Sequence, residues 1–377
     1  MDAKMIGIGL MALGALAPST GSPVAVPTEQ KPRIQIAILL DTSNSMDGLI
    51  DQAKTQLWRM VNEFATAKRN GARPELQVAV YEYGNDTIPA GEGHIRNVLP
   101  LTTDLDKVSE ELFALRTNGG QEYCGQVIEV AAEGLKWSPA NADYKAIIIA
   151  GNEPFTQGGV DYQKSCRAAI ARGIIVNTIF CGPSDEGVST KWKDGADLAD
   201  GRYMNIDQNA VVADVAAPQD KRIAELGVAL NQTYVAYGAK GAESKARQEA
   251  QDKNAAAAAP ASFTQRQVAK ASVAYENSSW DLVDAEKKGT VKIEEIDKGQ
   301  LPEEMRSMTA EQKKAYVEAK AKERERLQSE INRLNEERKK YVADEMKKKA
   351  ASGANTLDSA VVQTVRDQAV KKGFRFE

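Results

Sequence analysis

The hydrophobic positions in the first two thirds of the chain form short apolar runs that alternate with helical stripes. Strands are predicted at residues 34–40, 76–84, 95–103, 144–151, 173–182 and 201–207. Pro100 places the third of them at a sheet edge, because proline cannot donate to a ladder. Between the runs lie helical segments such as residues 50–64. The alternation predicts a doubly wound α/β domain with a mostly parallel sheet over residues 33–238.

The pattern changes after Gly238. Residues 239–262 carry no large apolar side chains and predict a linker or a loose helix, while residues 263–377 predict a separable α-helical C-terminal region. Helices are expected at residues 268–289 and, as a long charged helix with i,i+4 charge pairs, at residues 309–350. The apolar stripe of the long helix is thin. The sequence therefore leaves open whether it self-associates as a coiled coil or packs against its own chain.

The N-terminus has the pattern of a targeting segment. Lys4 precedes an apolar run at residues 5–17, which a small, proline-rich stretch follows. The run is shorter than the roughly 20 residues that span a bilayer. Residues 1–26 therefore predict a signal peptide and leader, cleaved after Ala17 or Ala25, with an uncleaved anchor or a disordered tail as the alternative. Cleavage implies an exported protein, periplasmic or extracellular, with no membrane span in the mature chain.

Composition narrows the chemistry that the chain can perform. A chain of 377 residues with 42% hydrophobic and 27% charged residues is typical of a globular protein, and its net charge of −4 gives no support for nucleic-acid binding. His94 is the single histidine and is expected at the surface, so neither a histidine base nor a two-histidine zinc site is expected. Cys124, Cys166 and Cys181 fit either one disulfide and a leftover thiol or three buried thiols.

Residues 41–46, DTSNSM, follow the first apolar run where its strand should end. Ligands of a doubly wound sheet bind beyond the carboxyl ends of its strands. A spacing of two lets a turning loop aim Asp41, Ser43 and Ser45 at one point. One carboxylate and two hydroxyls suit Mg²⁺ or Mn²⁺, which prefer oxygen ligands. Capping of the next helix by the serines is the alternative.

Three segments together resemble the von Willebrand factor type A family: DTSNSM, NGGQEYCG at residues 118–125, and IIIAGNEPF at residues 147–155. The resemblance covers residues 33–238. In that family the corresponding loops build a metal-ion-dependent adhesion site, at which a partner protein supplies a carboxylate. The resemblance therefore implies a divalent cation at Asp41, Ser43 and Ser45 and a protein partner that docks through an acidic group.

Two loops depart from the family pattern. Gln121 stands where the family has a threonine, and Gly151 stands where it has an aspartate. A glycine side chain cannot be a ligand, so the site is expected to bind metal weakly, and Gly151→Asp is expected to strengthen it. Glu122 is the best replacement carboxylate. The alternative for Glu122 is an exposed charge in the first turn of a helix, favoured by the helix dipole.

These features favour a non-enzymatic binding protein. A metal-dependent hydrolase is the alternative, since a bound ion can activate water, but the sequence shows no histidine–carboxylate or cysteine–histidine constellation. A thiol role for Cys124, a scaffold with a degenerate metal site and a cytoplasmic partner of a ring ATPase are further alternatives. The sequence leaves the partner and the oligomeric state open.

Overall fold

The structure is a computed structural model that describes residues 31–206, 215–349 and 357–376. The predicted signal peptide and leader, residues 1–26, lie outside the described residues. Residues 31–377 form one compact unit. Within its described part, every helix is too short or too polar to cross a membrane.

The central sheet has six strands: β1 (Arg33–Asp41), β3 (Glu75–Tyr83), β4 (Ile95–Thr102), β5 (Tyr144–Gly151), β6 (Ile175–Cys181) and β7 (Tyr203–Ile206). Their order is β4-β3-β1-β5-β6-β7, and all pairs are parallel except β3 with β4. The predicted doubly wound sheet is confirmed, as is the edge position of the strand that contains Pro100. A second, two-stranded sheet joins β2 (Ala67–Lys68) to β8 (Arg375–Phe376).

The described residues contain twelve α-helices. They are α1 (Asp47–Ala65), α2 (Leu105–Ala114), α3 (Cys124–Gly134), α4 (Tyr162–Ala171), α5 (Ser184–Ser189), α6 (Trp192–Asp197), α7 (Asp220–Asn231), α8 (Gly241–Ala258), α9 (Pro260–Ala271), α10 (Leu282–Lys288), α11 (Ala310–Lys349) and α12 (Leu357–Lys371). The single helix expected at residues 268–289 is two helices, since α9 ends at Ala271 and α10 begins at Leu282.

Strand β1 shows how the apolar runs create two helical layers. Ile36 and Ile38 pack in one hydrophobic cluster, whereas Ala37 and Leu39 pack in another. Successive side chains of a strand point to opposite faces, so a fully apolar strand needs cover on both sides. Helices α1, α2, α7, α9, α11 and α12 contribute to the first cluster, and α3, α4 and α6 contribute to the second.

Residues 241–258 form helix α8, as the helical alternative for residues 239–262 predicts. This helix packs against α2 and α9 through polar side chains. Gln251, for example, accepts a hydrogen bond from Ser109 at 2.9 Å, and both residues are buried. A search for apolar stripes overlooks such a helix, because its buried face is made of glutamine, serine and aspartate.

The C-terminal helices cover the sheet of the α/β domain. Helix α12 packs on α1 and β7. Gln368 of α12 exchanges two side-chain hydrogen bonds with Asn177 of β6, at 2.7 and 3.0 Å, and accepts a third from Tyr144 of β5 at 2.8 Å. Contacts therefore cross the domain boundary that the sequence predicts at residues 239–262. Whether the two parts fold separately stays a prediction.

Helix α11 packs against its own chain. Its buried stripe includes Val317, Leu327 and Ile331, and it contacts α7, α9 and α10. Arg324 lies in the same stripe and is 4% exposed. In the described part of this helix, the thin apolar stripe therefore packs within the molecule. This agrees with the alternative in which the helix packs against its own chain.

Candidate functional site

Asp41 is the last residue of β1, and its side chain is fully buried. Its Oδ1 accepts a hydrogen bond from the Ser43 backbone N–H at 2.7 Å. Two backbone hydrogen bonds of 2.9 Å fix the loop: Thr42 donates to the Tyr83 carbonyl, and Asn118 donates to the Thr42 carbonyl. The Asp41 carboxylate is thus held at the carboxyl edge of the sheet, beside the loop that leads to α3.

Glu122 precedes α3 and is only 4% exposed. Its backbone N–H donates to Oε1 of Gln157 at 2.7 Å. Its carboxyl group is hydrogen-bonded to that of Asp41, and the Ser43 side chain bonds to both carboxyl groups. The structure therefore brings Asp41, Ser43 and Glu122 together, and the exposed-charge alternative for Glu122 is wrong.

The two carboxyl groups share a proton near neutral pH. Burial and the neighbouring charge of Asp41 raise the pKa of Glu122 to about 9. Burial raises the pKa of Asp41 to about 6, although the hydrogen bonds from Glu122 and Ser43 oppose this rise. Two buried carboxylates in contact cannot both ionise without a cation to balance them.

The residues present fit a divalent cation. Oδ2 of Asp41 and Oε2 of Glu122 are buried and have no hydrogen-bond partner. Such orphaned acceptors are costly, and a cation in place of the shared proton would satisfy them. In residues 31–206, 215–349 and 357–376 no group of three or more His, Cys, Asp or Glu could hold a metal ion. The donors would therefore be two carboxylates with hydroxyl or backbone oxygens, a set that suits Mg²⁺ or Mn²⁺.

The structure says less about Ser45, the remaining predicted ligand, and about Gln121, which stands where the family has a threonine. Ser45 lies in a single 3₁₀ turn, Asn44–Met46, and its side chain is outside what the structure describes. Gln121 is exposed at the surface of the second loop. Neither residue is placed against the carboxyl pair by a described contact.

Tyr83 is a residue of this site that the sequence analysis missed. It is paired in register with Asp41, and its hydroxyl donates to the Ala150 carbonyl at 2.8 Å. A Cβ at Gly151 would lie 2.5 Å from the Tyr83 hydroxyl oxygen and 3.1 Å from Oδ2 of Asp41. Tyr83 therefore occupies the space that any side chain at position 151 would need. The available signal was a polar tyrosine at the end of a buried strand.

The family comparison gives the same result as the topology and the loops. Residues 35–204 match the model of the von Willebrand factor type A domain. This segment is a von Willebrand factor type A domain. Such domains are protein-interaction modules, often with a metal-ion-dependent adhesion site. No curated protein matches the chain in sequence.

Three solved structures are distantly similar to the type A domain. BatB from Bacteroides thetaiotaomicron is 18% identical with a TM-score of 0.36, and the match covers 46% of this chain and 90% of BatB. The SpRpn10 VWA domain is 15% identical with a TM-score of 0.35, over 46% of this chain and 88% of that one. Proximal thread matrix protein 1 from the mussel byssus, solved with zinc in its MIDAS motif, is 13% identical with a TM-score of 0.35, over 48% and 43%.

The histidine and the cysteines of the type A domain are buried. His94 is 8% exposed, contrary to the expected surface position, and its Nδ1 lies 3.3 Å from the Asn85 carbonyl oxygen. Cys124, Cys166 and Cys181 are buried free thiols. Burial raises the pKa of Cys124 well above its usual value, so this thiol stays protonated and is a poor nucleophile.

Replacing Gly151 by alanine is expected to destabilise the type A domain by about 1–3 kcal/mol, because the new methyl group would collide with the Tyr83 hydroxyl. The Cβ of an aspartate would make the same collision. Gly151→Asp can therefore strengthen metal binding, as the sequence predicts, only if Tyr83 moves. Adding Tyr83→Phe should relieve part of the penalty. Urea denaturation of both single variants and the double variant measures the coupling. Strict additivity would contradict contact between the two positions.

Without metal, the stability contributed by the carboxyl pair is expected to fall as pH rises. Folding raises the pKa of Asp41 from 3.8 to about 6 and that of Glu122 from 4.5 to about 9, so this contribution is full below about pH 4 and is lost progressively as pH rises through about 9. Glu122→Gln cannot ionise and should flatten this part of the profile. Melting temperatures in EDTA across this range provide the test. Identical pH profiles for wild type and Glu122→Gln would refute the shared-proton pair.

Proposed function

We propose that this chain is a non-enzymatic, protein-binding protein that holds Mg²⁺ or Mn²⁺ at Asp41, Ser43, Ser45 and Glu122. A partner protein docks there through a carboxylate. The observation that carries the proposal is the pair of buried, unpartnered oxygens, Oδ2 of Asp41 and Oε2 of Glu122, beside Ser43.

The residues divide the work as follows. Asp41 supplies a fixed negative charge at the end of a rigid strand, and Glu122 supplies a second charge once its proton leaves. Ser43 orients both carboxyl groups through its backbone N–H and its side chain. Gly151 supplies no ligand, so the protein offers fewer oxygens than the six that Mg²⁺ prefers. An acidic side chain from a partner would complete the set.

The surroundings of the pair support binding rather than hydrolysis. His94 is buried against the Asn85 carbonyl and the Cys124 thiol is protonated, so neither is available as a base or nucleophile. A general base must reach the proton that it removes. The pair itself would be engaged by the cation.

The protein is proposed to act outside the cytoplasm. The apolar run at residues 5–17, followed by small residues, supports export with removal of residues 1–26. The N-terminal sequence of the protein recovered from its native source decides this point, since an intact Met1 in the cytoplasmic fraction would overturn it.

Calorimetric titration with Mg²⁺ and Mn²⁺ is expected to show one weak site in the wild type and none in Asp41→Ala. Glu122→Gln should weaken binding at least about tenfold, because a carboxylate ligand becomes a neutral amide. Asp51→Asn is the matched control, since it removes an exposed carboxylate, 77% accessible, on α1. Unchanged affinity in Asp41→Ala would establish the degenerate-scaffold alternative.

Acetate can stand in for the partner carboxylate. Millimolar acetate is expected to tighten Mn²⁺ binding to the wild type. The water proton relaxation rate of Mn²⁺ reports both occupancy and the displacement of its waters. Metal binding with no response to acetate would retain the metal site and reject docking through a carboxylate.

A further inference from the structure

Positive charge is concentrated at the end of the sheet opposite to Asp41. It comes from the start of β1, the segment around β2 and the C-terminal residues around β8. We call this surface the basic edge, and its members are Lys31, Arg33, Lys68, Arg69, Arg73, Lys371, Lys372 and Arg375. The net charge of −4 gives no sign of this surface. Its members also lie far apart in the sequence, at residues 31–73 and 371–375.

Contacts join these residues into one surface. Lys68 and Arg375 are directly opposed in the β2–β8 ladder. The Arg69 guanidinium lies over the Phe374 ring, 5.0 Å from its centroid.

Two carboxylates of the described residues lie against the arginines of the basic edge. Asp143 accepts hydrogen bonds from the Arg33 backbone N–H at 3.0 Å and from Arg69 at 3.1 Å, and Glu75 lies 3.7 Å from Arg33. Asp143 therefore serves Arg33 and Arg69, and Glu75 serves Arg33.

The outer members of the basic edge are left to the solvent. Arg73, Lys371 and Arg375 are exposed, and none of them forms an ion pair with another described residue. Their charges are therefore available to a ligand.

We propose that the basic edge binds a membrane surface that contains anionic lipids. Exposed Val370, 51% accessible, adjoins Lys371 and gives the charged surface an apolar contact for the headgroup region. Clusters of lysine and arginine are attracted to anionic leaflets, and the attraction decays within a Debye length.

This orientation would leave the cation site accessible. Strand β1 has nine residues, and it begins in the basic edge at Arg33 and ends at Asp41. Nine residues of strand span roughly 30 Å. A domain resting on its basic edge therefore holds the Asp41 loop away from the lipid, facing a partner.

Cosedimentation with vesicles tests the proposal on residues 31–377, the compact unit that lacks the apolar run. Binding is expected to phosphatidylcholine vesicles that contain phosphatidylglycerol and not to pure phosphatidylcholine. It should weaken strongly between about 0.1 M and about 1 M salt, where the Debye length falls from about 10 to about 3 Å. Equal binding to both vesicles, or no binding to either, overturns the proposal.

A triple variant, Arg73→Gln, Lys371→Gln and Arg375→Gln, is expected to lose on the order of 100-fold in affinity for the anionic vesicles. Lys322→Gln, Arg326→Gln and Arg333→Gln on α11 form the matched control, because they remove the same charges from an exposed helix face. Equal affinity loss in the two triples would refute a specific basic edge. Tighter binding to random duplex DNA than to the vesicles, abolished by the first triple, would also reject the lipid proposal and assign the edge to a polyanion.

Discussion

Arg266→Ala is expected to cost about 3–5 kcal/mol of unfolding free energy, a large part of the 5–15 kcal/mol that is typical of a domain. Arg266 is fully buried in α9. Its guanidinium donates to Asp106 at 2.7 Å and to Asp252 at 2.5 Å, and it lies 4.6 Å from the Trp58 ring centroid. Removing it leaves two buried carboxylates with less compensation.

Urea denaturation followed by circular dichroism measures this loss. Arg333→Ala is the control, because its ion pair with Glu337 is exposed and should contribute less than about 0.5 kcal/mol. Arg266→Lys should fall in between, since it keeps the charge but not the planar fork. A cost for Arg266→Ala no larger than that of Arg333→Ala would show that this buried ion network does not hold α8 and α9 in place.

A chain that ends at residue 349 is expected to be insoluble or to lose cooperative unfolding, because it lacks α12 and β8. Val361, Val365 and Phe374 are at most 8% exposed and pack in the core cluster on that face of the sheet. Burying each such side chain contributes about 1.5–3 kcal/mol. The sum approaches the whole stability of a domain.

Expression of residues 31–349, with solubility, size-exclusion chromatography and thermal melting as readouts, tests this expectation. A pair of substitutions in the complete chain gives a finer test. Val365→Asp introduces a charge at a position that is 1% exposed, whereas Val370→Asp introduces the same charge at one that is 51% exposed. Only Val365→Asp should prevent folding. A soluble, cooperatively melting 31–349 fragment would show instead that α12 and β8 are not needed for the rest of the chain to fold.

Only part of the candidate site could be predicted from the sequence. Asp41 and Ser43 follow from a local spacing at the end of an apolar run, so a local pattern was sufficient to place them. The sequence left two alternatives for Glu122, a replacement carboxylate at the metal site or an exposed charge. The burial of Glu122 against Asp41 excludes the exposed charge. The fit between Tyr83 and Gly151 could not be read, because the two residues belong to strands that only the sheet order places on either side of β1.

The sequence by itself determined the doubly wound sheet, its edge strand and the loop that carries Asp41 and Ser43. These features rest on periodicity and turn chemistry, which act over neighbouring residues. Only the tertiary structure decided that α8 is a buried polar helix, that α12 covers the sheet, and that the ends of the chain build one basic edge. Each of these depends on contacts between residues far apart in the chain, whose energies are set by burial and by partners that only the fold supplies.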